Sequence, residues 1–460
     1  MPKLSKTSDQ VLTLSEKDLK PFWNKQSAEI ASCFALPTKT DLQDLDLTLS
    51  SGLLKDPVEK SWFSTKLNSL QCKSLPPIYL RFCTFSPVEC MDLEVIASKL
   101  VRLSPTKEQR KIFKHWTDIA RYVFNWTIDF IKSCVSWNPT WMEIKKYATR
   151  FLPEWTKDVP FQVKGIAIKE AHDAFWKAKG RPKFRTKKNP EQSCYIPKSA
   201  ISKKGVYPTI SGKGIKFNEP LPDDIKDSRL IWRDTKWWIC IPSKVVIPRS
   251  NKQASGIVAL DPGIRKFITF YSPTSFGMVG DGDFNQIYKL LLHLDDLYSI
   301  RAKLNNKRKK RSLTKAIRRL AARIKNLTSE LHWKTARFLC ENFAIILMPT
   351  FETKNMSAKN KRKIRTKTVR SMLGFAFYKF KQRLEWMARK MGVTVVRVSE
   401  AYTSKTHPET GEIFNVGSRK TIRLSSGIQV DRDISGARNI LIKFLTNILA
   451  MGDLPTLKSV

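Results

Sequence analysis

Gly256-Ile-Val-Ala-Leu-Asp-Pro-Gly-Ile-Arg-Lys-Phe267 is the stretch on which the reading of this chain turns. Ile257 to Leu260 is an unbroken apolar run, too short for a helix and without the alternation of a half-exposed strand, so it predicts a strand buried on both faces. Asp261 closes the run, Pro262-Gly263 supplies a turn, and Phe267-Ile-Thr-Phe-Tyr271 predicts a second strand. Downstream, Phe343-Ala-Ile-Ile-Leu-Met348 and Val393-Thr-Val-Val-Arg-Val398 have the same buried-strand character. Helical stretches are expected over 285–342 and 371–391, and a last helix over 433–450. Strands alternating with helices place this half of the chain in the α/β class.

The acids near the ends of these elements are the candidates for chemistry. Hydrolysis of a phosphodiester by two divalent ions, held about 4 Å apart, needs several carboxylates gathered from distant segments. Mg2+ favours hard oxygen ligands and keeps some of its waters, so three carboxylates are enough. Asp261 taken alone is an ordinary Asp-Pro-Gly turn residue, yet a buried strand that ends in Asp and folds back into a second apolar strand is also how RNase H-like sheets present a first ligand. Asp433 opens the last helix in Asp431-Arg-Asp-Ile-Ser-Gly-Ala-Arg-Asn-Ile440. Its plain role is a helix N-cap, which needs one Asp; the small Gly436 and Ala437 would let that helix lie close against a sheet. Two residues compete to be a middle acid. Glu352 follows Pro349 in Pro349-Thr-Phe-Glu-Thr-Lys-Asn-Met356, and Glu400 ends the next apolar strand.

Composition narrows the partner. Lys and Arg number 83 against 41 Asp and Glu, a formal net charge of +42 over 460 residues. Such a chain repels itself unless a polyanion neutralises it, and nucleic acid is the expected partner because each phosphate contact releases counterions. Hydrophobic residues at 42% exclude global disorder, and 13 Trp with 25 Phe imply packed domains of a size that ribosomal or histone-like binders seldom have. The length predicts about two to four domains. No apolar run reaches the roughly 18 residues of a membrane span, and the first ten residues lack the apolar core of a secretory signal. The eight cysteines are scattered, none in a CxxC pair, and read as the reduced thiols of a nuclear or cytoplasmic protein.

Organisation along the chain follows from periodicity and breakers. Residues 1–97 are a polar, weakly periodic N-terminal extension. Residues 98–190 carry the end of a strand-like run (Glu94 to Leu103) and then a helical block. Pro105 and Glu108 suit a helix start, Ile112, Trp116, Ile119, Ala120, Val123 and Phe124 share one face, and further helices are expected at 126–135, 140–152 and 161–178. In 191–250 short strands alternate with turns and predict a small antiparallel β-barrel, whose basic and aromatic residues suit backbone and stacking contacts with nucleic acid. Trp237 and Trp238 read equally well as one core and one surface aromatic of a strand. Residues 251–402 form the strand–helix core, 403–430 an insertion, and 431–460 the last motif and helix. Basic loops at 180–188, 307–315 and 354–370 are expected to contact phosphates.

Taken in order, these segments resemble the TnpB/Fanzor family of transposon-linked, RNA-guided DNA endonucleases, relatives of the CRISPR type V effectors. Residues 256–267 resemble its first RuvC motif, and Glu330-Leu-His-Trp-Lys-Thr-Ala-Arg-Phe-Leu339 the helix before its second. Met348-Pro-Thr-Phe-Glu-Thr-Lys-Asn-Met356 is similar to the second-motif region in its Fanzor-like form. Glu400-Ala-Tyr-Thr-Ser-Lys-Thr406 and Asp431 to Ile440 resemble the surroundings of the zinc ribbon and the third motif, and Ser104 to Trp116 the N-terminal domain. The resemblance spans 98–450. It implies a multidomain α/β protein: a RuvC-type, RNase H-like nuclease core, an N-terminal helical domain and a wedge-like β-barrel. It further implies Mg2+ (or Mn2+), a guide RNA and a double-stranded DNA target, with Asp261 and Asp433 as first and third metal ligands. Pro349 stands where many members place the middle glutamate; Fanzor-like members use a displaced one, here Glu400, which ranks ahead of Glu352 because it ends a core strand. The family's ribbon carries two cysteine pairs on zinc. Here His407, Thr410, Arg423 and Ser426 stand in their places, only His407 could bind the metal, and no zinc is expected.

Three functions compete on this reading. The first is a Mg2+-dependent, RNA-guided endonuclease of a transposable element, encoded by a virus or a transposon. The second is a binding-only relic of the same family, which the lost cysteines favour and the retained Asp261, Glu400 and Asp433 oppose. The third is a transposase that joins DNA ends on the same fold.

Overall fold

The computed structural model describes residues 22–37, 61–70, 93–134, 137–212, 214–247, 254–350, 366–415, 417 and 419–450. In chain order the first half contains α1 (Lys25–Cys33), β1 (Thr65–Ser69), β2 (Leu93–Ser104), α2 (Lys107–Ser133), α3 (Trp141–Phe151), α4 (Phe161–Lys177) and β3 (Gln192–Ile196). There follow β4 (Ile201–Ser202), β5 (Gly205–Val206), α5 (Pro208–Ser211), β6 (Lys216–Phe217), β7 (Ser228–Arg233) and β8 (Lys236–Ile247). The second half contains β9 (Ile257–Pro262), β10 (Ile268–Tyr271), β11 (Ser275–Val279), α6 (Phe284–Lys303), α7 (Lys307–Asn342) and β12 (Ile345–Pro349). It ends with α8 (Thr366–Phe375), α9 (Phe377–Met391), β13 (Thr394–Val398), β14 (Thr421–Arg423), β15 (Gln429–Asp431) and α10 (Arg432–Ala450). The described residues form two compact units, one drawn from Met1–Leu93, Ile247–Lys303 and Arg323–Val460, the other from Glu94–Val246 and Leu304–Ala322.

The first unit is built on a six-stranded sheet in the order β1-β11-β10-β9-β12-β13. β9, β10 and β11 run antiparallel in succession, while β12 is parallel to both β9 and β13. Numbering β9 to β13 as one to five gives the order 3-2-1-4-5, the RNase H-like arrangement. Ile257 to Leu260 are fully buried, as an uninterrupted apolar strand requires. Alternate side chains serve opposite layers: Ile257 and Ala259 pack with Ile434, Ala437 and Leu441 of α10, and on a neighbouring strand Phe270 meets Phe338 of α7. Two elements come from the N-terminal extension, for which the sequence suggested no role. β1 extends the sheet along β11, and α1 packs Ile30, Ala31 and Phe34 into the α10 layer.

Two helical stretches break where the periodicity ran on. The expected 285–342 stretch is α6 and α7, and Asn306 caps the second by accepting from Arg308 N and Lys309 N at 2.9 and 3.1 Å. The 371–391 helix is the end of α8 and all of α9, divided at Ala376 with φ of 50°. That bend brings Phe375, Phe377 and Phe380 around Phe267, at ring separations of 5.1, 5.4 and 4.9 Å.

The second unit corrects two expectations. Its sheet, β3-β7-β8-β2-β6, is open among the described residues, and no closed barrel is seen. One edge is the two-residue β6, which pairs only with Leu103 and Ser104. Nor do the helices stand apart as a domain. Phe113, Trp116, Ile119 and Val123 of α2 share one core with Val101, Leu230, Ile239 and Ile241 of the sheet. A sheet whose face a helix covers has no need to close on itself. α2 is also one continuous helix through the expected second start at 126, because nothing near Asn125 breaks it; Thr106 and Gln109 cap it reciprocally. Trp237 is the core aromatic of its pair, edge-on to Phe113 at 5.4 Å. Among the described residues no helix is long and apolar enough to cross a membrane.

Candidate functional site

Asp261 lies on β9, paired across the hairpin with Thr269 of β10. β12, between β9 and β13, brings no acid: its Leu347 pairs with Ala259 and its Pro349 with Val398. Glu400 lies two residues beyond Val398 and its carbonyl accepts from the Thr403 hydroxyl at 2.9 Å. Glu352, the alternative middle acid, lies outside the described residues, as does most of the 354–370 basic loop. Asp433 sits in the first turn of α10 but does not cap it. That role belongs to Asp431, whose Oδ1 accepts from Asp433 N at 2.9 Å and Ile434 N at 3.2 Å. The Asp433 carboxylate takes no part in these capping bonds.

Two contacts fix this helix start against the sheet. Lys266, on the β9–β10 turn and only 8% exposed, places its Nζ 2.8 and 2.7 Å from the Asp431 oxygens and 3.2 Å from Asp433 Oδ2. Gly436 faces Asp261 so closely that a Cβ there would lie 2.9 Å from Asp261 Oδ2. The expectation that a small residue lets the helix approach is met at Gly436. Lys266 went unnoticed in the sequence because a lysine in a +42 chain carries no signal of its own.

The electrostatics join what the backbone brings near. The Asp261 carboxyl is pushed up to about 8, first by burial and then by the negative charges of Asp433 and Glu400; Arg432 and Lys266 offset part of this. Burial also pushes the Glu400 carboxyl above its ordinary value. Asp261, Glu400 and Asp433 therefore share one field, although among the described residues no three His, Cys, Asp or Glu side chains are arranged to hold a metal ion.

Between Glu400 and Asp433 the chain forms a knuckle of two turns. His407 N donates to Glu412 O at 2.8 Å and Gly411 N to His407 O at 3.0 Å. The His407 ring accepts from Glu409 N and Thr410 N through Nδ1 at 3.4 and 3.3 Å. That assigns the ring proton to Nε2, which faces Arg423 O at 3.2 Å. Glu409 crosses to the second turn, accepting from Ser425 N and Oγ at 2.8 and 2.7 Å. These bonds hold its carboxyl below the usual carboxylate range. Phe414, Ile422, Leu424 and Val430 give the knuckle a small apolar centre.

The second unit carries a cavity of about 510 Å³ lined by Arg102, Arg110, Lys114, Lys187, Lys236 and Trp232, among others. Arg318 of α7 sits over the Trp232 ring at 5.8 Å. Of these cations the sequence had singled out only Lys187, in the 180–188 loop.

Comparison with known proteins follows the same segments. Residues 377–440 match the family model described as "Cas12f1-like, TNB domain", and 95–134 match a helix-turn-helix domain. A TnpB-like protein of Acanthamoeba polyphaga mimivirus is 27% identical over 381 residues, 75% of this chain and 73% of that one. These matches support a place for this chain among TnpB-like proteins. A putative transposase of Paramecium bursaria Chlorella virus 1 is 27% identical over 391 residues, 76% of this chain and 88% of its own length. Among solved structures, the Cas12f1–sgRNA–target DNA complex aligns at a TM-score of 0.42 and 12% identity, over 73% of this chain and 83% of that one. The TnpB family is a transposon-associated nuclease family, and the match at 377–440 contains Glu400, the knuckle and Asp433.

Proposed function

We propose that this TnpB-like chain is an RNA-guided DNA endonuclease in which Asp261, Glu400 and Asp433 hold Mg2+ (or Mn2+) for phosphodiester hydrolysis. The observation that carries the reading is the placement of Asp261, buried against Gly436 at the start of α10, where burial first and then the charges of Asp433 and Glu400 raise its carboxyl to about 8. Three carboxylates drawn into one partly buried field offer only hard oxygens, the donor set a divalent ion of this kind takes. When bound, such ions activate water and stabilise the leaving oxygen. The protein's own share is positional. Gly436 leaves room for the Asp261 carboxylate, Lys266 ties the start of α10 to the β9–β10 hairpin, and Asp431 takes the capping bonds so that Asp433 need not. Guidance by RNA rests on family resemblance and on the net charge of +42. Pairing with the guide then reads the sequence while the protein holds backbones, and the cationic cavity with Trp232 suits such contacts.

A binding-only member is the second reading. It is favoured by the Lys266 ammonium beside Asp431 and Asp433 and by the absence, among the described residues, of three acids closed around one point. Purification with co-bound RNA, then cleavage of DNA matched to that RNA in Mg2+ or Mn2+, separates the two. Guided cutting that disappears in Asp261→Ala while RNA binding persists is the expected result. Specific RNA retention with no cutting in either metal would establish the second reading.

A further inference from the structure

The family resemblance implies a zinc ion in the knuckle, and this chain does not fit one. Of His407, Thr410, Arg423 and Ser426, only the histidine is a ligand type zinc takes at such sites, and its ring is already engaged with Glu409, Thr410 and Arg423. Two turns that a metal would cross-link need another fastening. We infer that the N-terminal segment 22–37, docked on α10, replaces the zinc as the element that orders the knuckle.

Three contacts carry this inference, and they reach both turns. Trp23 fills the space beside Gly411: a Cβ at that position would overlap the indole, and the backbone there, with φ of +73°, is left-handed. Leu36 packs on the apolar centre formed by Ile422, Leu424 and Val430 beneath the β14–β15 hairpin. Arg438 of α10, 2% exposed, joins the pieces through its guanidinium. It donates to Ala31 O at 2.5 Å, to Phe34 O at 2.9 and 3.2 Å, and to Pro408 O at 3.2 Å. It therefore satisfies carbonyls at the C-terminal end of α1 and in the first knuckle turn at once, with its charge placed where the helix dipole favours it.

The segment is itself anchored well enough to serve as a fixed point. Asn24 and Ser27 form a reciprocal cap on α1, and Tyr271 of the central sheet donates to Ala35 O at 2.6 Å. Ile30, Ala31 and Phe34 are buried against α10. Zinc would join the turns to each other through four bonds. Here the His407 and Glu409 hydrogen bonds join them weakly, and a third body holds each in place. The same docking gives residues 22–37 a purpose that their sequence did not disclose.

The test uses the full chain and does not depend on cleavage. Metal analysis of the purified protein is expected to find far less than one zinc per chain, and phenanthroline to leave amide exchange over residues 403–430 unchanged. Trp23→Ala is expected to speed exchange in that segment by about tenfold or more while the β9–β13 sheet stays protected. Should Trp23→Ala fail to fold, Leu36→Ala reads the same docking with a smaller loss of packing. Adding His407→Cys, Thr410→Cys, Arg423→Cys and Ser426→Cys to whichever variant folds is expected to restore protection only when zinc is supplied. Stoichiometric zinc whose removal frees the knuckle would overturn the inference. So would unchanged exchange over 403–430 in a folded Trp23→Ala or Leu36→Ala protein.

Discussion

The acid cluster and the knuckle flank the same helix and treat charge in opposite ways. At the cluster, α10 brings Asp433 toward Asp261 and Glu400, and the cost appears as an Asp261 carboxyl that resists ionisation. One turn further, α10 presents Arg438 to three backbone carbonyls and Asn439 Nδ2 to Thr403 O and Thr406 O at 3.0 Å each. These bonds satisfy groups that burial would otherwise leave unpaired. The cluster holds a residue that strains the fold, whereas the knuckle, on the inference above, holds its shape through packing rather than through a metal. A cross-link is a matter of free energy and can be supplied by other contacts; a metal-binding carboxylate is a matter of chemistry and cannot. On the reading proposed here, that is why one region needs its acids while the other can do without metal ligands.

The substitution with the largest expected effect tests whether the strain and the chemistry reside in one group. Asp261→Asn should reduce guided cleavage by about a thousandfold or more, since a metal ligand is lost. It should also make the metal-free protein more stable at pH 8. Unfolded, the carboxyl ionises near its ordinary 3.8; folded, only near 8. The stability it contributes is therefore complete below the lower value and is lost as pH rises through the upper one. The variant lacks that loss, so its stability relative to wild type should climb between pH 4 and pH 8, by several kcal/mol at most, at about 1.4 kcal/mol per tenfold change in proton affinity, and its Tm should rise in step. Thermal melts in chelator across this range decide it; a flat difference would mean Asp261 is not strained. Next in size, Glu400→Gln should cost about a hundredfold in cleavage and more than Glu352→Gln. The reverse ranking would move the middle ligand to the segment after β12.

How far the sequence foretold these two regions depended on whether a local signal existed. The β9 strand was legible because four apolar residues between Gly256 and Asp261 allow little else. The α/β class followed from alternation of strand and helix, and the Gly436 approach from residue size, whereas the strand order came only from the structure. Two failures have a common cause. The helix breaks at Asn306 and Ala376 interrupt patterns whose apolar spacing runs straight through, because a cap and a left-handed residue set by tertiary packing leave periodicity intact. Among the described residues the second unit's sheet is open, with α2 packed on its face, a long-range arrangement that short alternating strands do not encode. At the site, Asp431 and Asp433 were both visible, but which one caps depended on a hydrogen-bond register that spacing alone leaves open. Residues 22–37 were opaque for a plainer reason: nine residues of helix with no strong amphipathic signal acquire meaning only from the surface they dock against.

Geometry at the cluster can be sharpened without removing a ligand. Gly436→Ala would set a methyl group 2.9 Å from Asp261 Oδ2, so the carboxylate must turn aside. Displacements of about 1 Å can cost on the order of a hundredfold in rate, and we expect ten- to hundredfold here, in kcat more than in KM. Normal cleavage would show that the carboxylate has room to spare. The smallest expected effect lies in the knuckle, where the acid is exposed and well partnered. Glu409→Gln keeps an oxygen that can accept from Ser425 N and Oγ, the bonds that lower its carboxyl below the usual range. A folded value below the unfolded one means the contribution is present above the ordinary 4.5 and is lost as pH falls through the lowered value. For an exposed group it should not exceed about 1 kcal/mol, seen as a slightly lower urea midpoint at pH 7 that disappears in acid. The two acids thus have opposite expected signs: removing the Asp261 charge should stabilise the fold, and removing the Glu409 charge should weaken it. A loss of several kcal/mol from Glu409→Gln would break the contrast, because the knuckle would then hang on a single carboxylate rather than on the packing of Trp23 and Leu36.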